Sequence, residues 1–298
     1  MKSPTSLALI CALFWGLSYP LTKLNQTAFA VSGAGSLMLV AGIRFVISGG
    51  VLILWNLVRH RKNPEIPAAP SRANIRHVLI LALTLTALHY FCMYLGLGEC
   101  TGSKSSILKQ TSVLFVIRFS GVSFPDERLT CRKVIGLLLG FSSVIVCSMP
   151  LSDFTFSPTG DIPILLAAVS AAAGDLYSKH AAARSDPIFL SGWQQMTGGV
   201  ILLTGGLLSG GRIGIFTPYA VTVLLAVCAA SIVAYTLYMW LARSCAISQL
   251  SLYKLTIPIF SVLTSGILLG EDLLRPQYWA AIALVFAGVV FAKPAKKQ

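Results

Sequence analysis

Charged residues are scarce in this sequence. They account for 11% of its 298 residues, against roughly 25% in a typical soluble domain, while apolar residues account for 55%. So few charges could not cover the surface of a water-soluble enzyme, and so many apolar residues exclude a disordered chain. Together with a mean hydropathy of +0.78, this composition predicts a polytopic membrane protein.

Catalytic and nucleotide-binding motifs are absent as well. The chain has no Walker A sequence, no HExxH, no GxSxG and no CxxC, and its seven cysteines are scattered. These absences argue against direct use of ATP, a protease or lipase site, a zinc site and a disulfide framework. We therefore expect a protein that is not an enzyme and that uses no cofactor or metal ion.

Long apolar runs, separated by short connections, fill most of the chain. We interpret them as ten membrane-spanning helices, because about 20 residues cross a bilayer, so the predicted fold class is all-α. The predicted spans are residues 5–24, 33–58, 77–97, 103–123, 131–150, 161–181, 187–208, 217–241, 246–269 and 276–293.

The basic residues predict an orientation. The net charge of +13 comes from 23 Lys and Arg against 10 Asp and Glu. With the N-terminus inside, fifteen of the 23 fall on the cytoplasmic side and four on the other, which is the bias of a membrane protein with cytoplasmic N- and C-termini. This distribution explains the charge without nucleic acid. The expected location is the cell membrane, and the expected partners are the bilayer and a small-molecule substrate.

The two halves of the chain resemble each other. At a constant shift of 145 residues, Tyr90 matches Tyr235 and Lys109 matches Lys254. Each half holds five predicted spans, and an odd number places the second half upside down relative to the first. Inverted repeats of this kind are typical of secondary transporters, with the substrate site between the repeats near the midplane. The predicted repeats are residues 1–150 and 151–298.

Several short motifs add a family resemblance over nearly the whole chain. They are Phe14-Trp15-Gly16, Arg44-Phe45, Asp126-Glu127-Arg128-Leu129-Thr130, Pro258 with Gly270-Glu271, and Ala287-Gly288-Val289. In this order, the sequence resembles the EamA-like ten-span carriers of the drug/metabolite transporter superfamily. The resemblance implies the fold and a transport function, and it says little about the substrate. The sequence departs from the usual pattern at Lys109 and Lys254, where small or apolar residues are expected.

Lys109 and Lys254 are therefore the main candidate site residues. A charge in the bilayer core is costly, and such residues are usually functional. Three interpretations stay open: the lysines bind an anionic substrate group, they couple transport to protons, or they are structural. Arg44 and Asp175 also lie inside spans. Arg44 is interpreted either as one member of a structural ion pair, most plausibly with Asp175, or as a third cation of the site. Asp175 is otherwise a counter-ion to a lysine, a proton carrier or a ligand for an amine.

Aromatic, proline and glycine residues complete the prediction. Pro20 and Pro258 lie inside spans and are expected to bend them beside the cavity. Gly136 and Gly140 form a GxxxG pair, which predicts close helix packing, either within a monomer or in a homodimer. The aromatic residues predicted to line the substrate site are Trp15, Tyr19, Tyr90, Tyr177, Trp193 and Tyr235.

These features favour a secondary transporter that uses alternating access. The first hypothesis is a carrier for a small organic metabolite with a carboxylate, sulfonate or phosphate, bound by Lys109 and Lys254. The alternative is an exporter of amino acids or amine-containing drugs that uses Asp175. A membrane sensor or enzyme that borrows the fold is a third possibility, and it has no catalytic constellation to support it.

Overall fold

The protein is built from helices. The computed structural model describes residues 4–97, 99, 102–127, 130–147, 156–270 and 276–291, and all regular secondary structure in these ranges is helical. The helices are α1 (Pro4–Ala28), α2 (Gly33–Lys62), α3 (Ile75–Leu97), α4 (Gly102–Ser123), α5 (Cys131–Cys147), α6 (Pro158–Ala182), α7 (Pro187–Leu208), α8 (Pro218–Ser244), α9a (Ile247–Lys254), α9b (Ile257–Leu269) and α10 (Pro276–Phe291).

Each predicted span falls on a helix. Six helical segments are long and apolar enough to cross a membrane by length and composition: α1, α2, α3, α6, α8 and the segment formed by α9a and α9b. The chain is therefore a polytopic membrane protein. The described part of α5 ends at Cys147 and that of α10 at Phe291, so residues 148–150 and 292–293 of the predicted spans lie outside the described residues.

The ninth predicted span is broken directly after Lys254. Helix α9a ends there, and α9b begins at Ile257. Pro258 explains the break, because it has no N–H to donate to the carbonyl of Lys254 four residues earlier. Helix α1 continues through Pro20 without a break, and the bend expected at Pro20 stays a prediction. In α3, residues Ala82–Ala87 form a π-helical stretch.

Helices α2 and α7 pack with their backbones in contact. A Cβ atom on Gly49 would lie 2.4 Å from the backbone nitrogen of Met196, and one on Gly199 would lie 2.8 Å from that of Val46. Small residues permit this approach, and close van der Waals packing is what holds helices together in lipid. The α2–α7 pair is therefore a tightly packed contact between the two halves of the chain.

The helix ends show that neighbouring helices run in opposite directions. Arg59 at the end of α2 forms a bidentate pair with Asp186 before α7, at 2.8 and 2.9 Å. The Tyr177 hydroxyl near the end of α6 lies 2.8 Å from Nδ1 of His77 at the start of α3. Ends of even-numbered helices thus meet starts of odd-numbered helices on one side of the molecule.

The GxxxG pair of α5 packs against other segments of the same chain. A Cβ atom on Gly288 of α10 would lie 2.8 Å from the carbonyl oxygen of Gly136, and one on Gly140 would lie 2.4 Å from the Leu255 side chain. This face of α5 is covered by α10 and by the break in the ninth span. The motif therefore accounts for packing within one chain and gives no support to a homodimer.

Candidate functional site

A cavity of about 460 Å³ lies between the two halves of the chain. Residues from α1, α2, α3, α4, α6, α8, α9a and α9b line it. The exposed Lys23 and the neighbouring Gln26, near the end of α1, are part of its wall. The cavity therefore opens on the side of the molecule where α1 ends.

Lys254 and Asp175 form an ion pair on the cavity wall. The Lys254 ammonium donates to both carboxylate oxygens, at 2.6 and 2.7 Å, and the Tyr238 hydroxyl donates to Oδ1 at 2.6 Å. The ammonium also lies 4.3 Å from the centre of the Tyr238 ring and 4.9 Å from that of Trp15, both within cation–π range. The interpretation that pairs Asp175 with Arg44 is wrong, and the one that pairs it with a lysine is confirmed.

Lys109 has no carboxylate partner in the described part of the chain. Its ammonium donates to the hydroxyl of Tyr19 and lies 4.8 Å from the centre of that ring. Both side chains line the cavity, on α4 and α1. Because a neutral hydroxyl does not balance its charge, Lys109 presents a cation to the cavity.

Arg44 is a buried cation held by neutral groups. Its side chain is on α2, and the residue is 5% exposed. Nε donates to the Ser231 hydroxyl at 2.6 Å, and the guanidinium donates a longer bond to Thr22 at 3.4 Å. No acidic side chain of the described residues lies within ion-pair distance. Burying a charge without a counter-charge is costly, so an anionic group in the cavity would stabilise Arg44.

The inner wall of the cavity thus has an excess of positive charge. Lys109, Lys254 and Arg44 contribute three cations, and Asp175 contributes one carboxylate that is fully engaged with Lys254. This arrangement can bind an anionic group at Lys109 and Arg44. It offers no comparable site for an amine, because the Asp175 oxygens already accept three hydrogen bonds.

Four of the six predicted aromatic residues line the cavity: Trp15, Tyr19, Tyr90 and Tyr235. The hydroxyls of Tyr90 and Tyr235 lie 3.5 Å apart, and the rings of Trp15 and Tyr235 meet edge to face at 5.8 Å. An apolar or aromatic body can pack against this wall.

The prediction is wrong for the other two aromatic residues, which lie outside the cavity. Tyr177 contacts His77 near the end of α6, and Trp193 packs in an apolar cluster with Phe189 and Leu190. Conversely, Tyr238 was missed, although it lies three residues after Tyr235 and so on the same face of α8. Ser231, which holds Arg44, gave no signal in the sequence.

The comparison with protein families identifies the chain. The model of the EamA-like transporter family matches residues 3–149 and again residues 158–292. The chain belongs to the EamA-like transporter family. This assignment places the cavity in a membrane transporter, and the family points to transport rather than catalysis. In the described residues, no group of three or more His, Cys, Asp and Glu is placed to hold a metal ion.

Individual relatives agree with the family. The uncharacterized transporter YvbV of Bacillus subtilis is 30% identical over 276 residues, which cover 91% of this chain and 86% of that protein. The uncharacterized inner membrane transporter YedA of Escherichia coli is 23% identical over 282 residues, which cover 93% and 87% of the two chains. A solved crystal structure with 19% identity superposes with a TM-score of 0.79 and covers 98% of this chain and 97% of that one. It shows that the fold is shared.

A polar junction lies on the side of the molecule opposite the mouth of the cavity, where α4 ends and α9a begins. Glu127 is 2% exposed. It accepts hydrogen bonds at 2.8 Å from the backbone N–H groups of Ile247 and Ser248. It also accepts a hydrogen bond from Lys179 of α6. Burial alone would raise the pKa of Glu127, but these donors outweigh it and hold the pKa below its ordinary value. We call Glu127, Lys179 and the start of α9a the closed-end junction. It joins the end of α4 to the second half of the chain.

Proposed function

We propose that the protein is a secondary transporter that carries a small organic anion across the membrane by alternating access. The observation that carries this proposal is the presence of two cavity-lining cations, Lys109 and Arg44, with no carboxylate partner in the described residues. A bound carboxylate, sulfonate or phosphate supplies the missing counter-charge. The aromatic wall binds the apolar body of the same molecule.

The proposed architecture has ten spans in two inverted repeats. Helix packing supports it: α2 packs on α7 and α5 packs on α10, while α1 packs on α8 as α6 packs on α3. If each helix is replaced by its equivalent in the other half, α1 by α6, α2 by α7 and so on, the same set of helix contacts results. The family model also matches the chain twice, once in each half. Tyr90 and Tyr235, which are equivalent in the repeat, lie side by side.

The present conformation is one state of the proposed cycle. The cavity opens where α1 ends, and the closed-end junction lies on the side where α9a begins. With the N-terminus in the cytoplasm, the cavity faces the outside of the cell. Transport then requires the closed-end junction to separate while the helices around Lys23 come together.

Binding and counterflow test this proposal. Purified protein in detergent is screened by thermal shift with benzoate, benzenesulfonate and inorganic phosphate, and with benzylamine as the cationic counterpart. The anions that stabilise the protein are then used for counterflow in proteoliposomes. We expect stabilisation by at least one anion and none by benzylamine.

A matched pair of variants locates the site. Lys109→Ala removes a cation from the cavity, whereas Arg118→Ala removes one from the exposed face of the same helix. We expect the first to weaken anion binding at least tenfold, about 1.4 kcal/mol, and the second to leave it unchanged. Stabilisation by benzylamine that disappears in Asp175→Asn would instead support the amine exporter. Equal effects of Lys109→Ala and Arg118→Ala on anion binding would show that Lys109 is not part of the site.

A further inference from the structure

The ion pair between Asp175 and Lys254 lies on the wall of the proposed substrate cavity, and the substrate can compete for it. Lys254 is the only one of the three inner cations whose charge is balanced by a carboxylate in the described residues. An anionic substrate offers Lys254 a second partner. The Asp175 carboxylate, 1% exposed, would then keep only the hydroxyl of Tyr238 as a donor. A buried carboxylate without its cation is strongly disfavoured unless it is protonated.

We infer that Asp175 is a proton-binding site that couples transport to protons, with substrate anion and proton carried together. The inference rests on the proposed anion transport. In the bound state, Asp175 carries a proton and the Lys254 ammonium pairs with the anionic group. When the proton leaves, the Asp175 carboxylate takes Lys254 back and the anion loses a partner. One proton and one monoanion cross together, so the net charge moved is zero.

The surroundings of Asp175 support this assignment. Among the described residues, Lys254 and Tyr238 are the groups that donate to the carboxylate, and Lys254 is the cation paired with it. The titratable and charged groups of the described residues that face it or line the same cavity are Lys254 of α9a, Tyr235 and Tyr238 of α8, Cys11, Tyr19 and Lys23 of α1, Arg44 of α2, His89, Tyr90 and Tyr94 of α3 and Lys109 of α4.

The position of Lys254 also explains how it can change partners. It is the last residue of α9a, and the chain is no longer helical until Ile257. The ammonium is held by contacts that a ligand can replace: two rings and one carboxylate. Anion binding and proton binding therefore favour each other, and this linkage is reciprocal.

The test measures anion affinity against pH with probes that do not titrate. Benzoate stays ionised between about pH 6 and pH 8, because carboxyl pKa values lie near 4, and benzenesulfonate stays ionised because sulfonic acids are stronger acids than carboxylic acids. In the wild type, we expect the affinity to rise as the pH falls, by up to about tenfold per pH unit when one proton binds with each anion. In Asp175→Asn, a neutral isostere of the protonated carboxyl, we expect tight binding that no longer depends on pH.

Two further measurements keep the outcome decisive. Asp186→Asn neutralises an ion-paired aspartate outside the cavity and is expected to keep the pH dependence. If Asp175→Asn does not fold, calorimetry of the wild type in two buffers of different ionisation enthalpy counts the protons taken up, and a value near one supports the inference.

The two proposals fail in different ways. A wild type that binds anions with the same affinity at every pH and takes up no proton overturns proton coupling and leaves anion transport standing. A wild type that binds none of the anions at any pH overturns anion transport, and the coupling falls with it. Proton uptake that persists in Asp175→Asn assigns the proton to another group.

Discussion

Replacing Glu127 tests whether the closed-end junction holds the two halves together. In Glu127→Ala, the backbone N–H groups of Ile247 and Ser248 lose their acceptor at the start of α9a, and Lys179 loses its counter-ion. Loss of an N-terminal helix cap costs about 0.5–2 kcal/mol. Breaking a fully buried ion pair costs about 3–5 kcal/mol, and less applies here because the Lys179 side chain is 26% exposed.

We therefore expect Glu127→Ala to lower the free energy of unfolding by about 2–4 kcal/mol. Glu127→Gln keeps one acceptor oxygen but loses the charge, so about half of that loss is expected. Asp126→Ala is the matched control, because the neighbouring Asp126 is an exposed acid. A change within about 0.5 kcal/mol is expected for such a surface substitution. The measurement is urea unfolding in detergent, followed by tryptophan fluorescence.

The pH dependence of the same variants checks the electrostatic part. Because the folded-state pKa of Glu127 lies below its ordinary value, its contribution to stability is complete above the unfolded-state pKa of about 4.3. It is lost as the pH falls through the folded-state pKa. Wild type and Glu127→Gln should differ equally at pH 7 and pH 6 and converge below about pH 4. Equal losses in Glu127→Ala and Asp126→Ala, or convergence already near pH 6, would refute the reasoning.

Two further predictions concern topology and packing. In a cysteine-free background, Glu65→Cys should react with an impermeant thiol reagent only from the cytoplasmic side, and Ile215→Cys only from outside. The reason is that the connections that hold these exposed residues lie on opposite sides of the proposed ten-span fold. Labelling of both positions from one side would contradict this topology. Gly49→Ala should lower stability by about 1–3 kcal/mol, because its Cβ would lie 2.4 Å from the backbone nitrogen of Met196. The control Gly205→Ala, where nothing lies within 4 Å, should be neutral or slightly stabilising, and equal thermal unfolding of the two variants would contradict the packing argument.

The helices and the main cavity cations could be predicted because their signals are local. Apolar runs indicated the helices, Pro258 indicated a bend in the ninth span, and the repeat brought Lys109 and Lys254 into correspondence. Partners could not be predicted in the same way. Asp175 was matched with Arg44 because both lie inside spans, but the pairing depends on how helices are rotated about their axes. Spacing and depth in a sequence do not determine that rotation.

The two misplaced aromatic residues illustrate the same limit. Tyr177 lies two residues after Asp175, which is about 200° around an α-helix at 3.6 residues per turn. When Asp175 faces the cavity, Tyr177 must face the other way. Trp15 and Tyr19, four residues apart on α1, share one face and both line the cavity. A helical wheel anchored on one known cavity residue would have separated these cases.

The tightly packed contact between α2 and α7 has a consequence for how substrate specificity can change. Arg44 lies on α2 about one and a half turns before Gly49, where the backbones of α2 and α7 are in contact. Lys109 and Lys254 lie on α4 and α9a, outside this contact. We therefore expect Arg44 to be held in place more firmly than the two lysines. Under the proposed function, substitutions on α4 and α9a should therefore change substrate preference, while Arg44 should keep the preference for an anionic group.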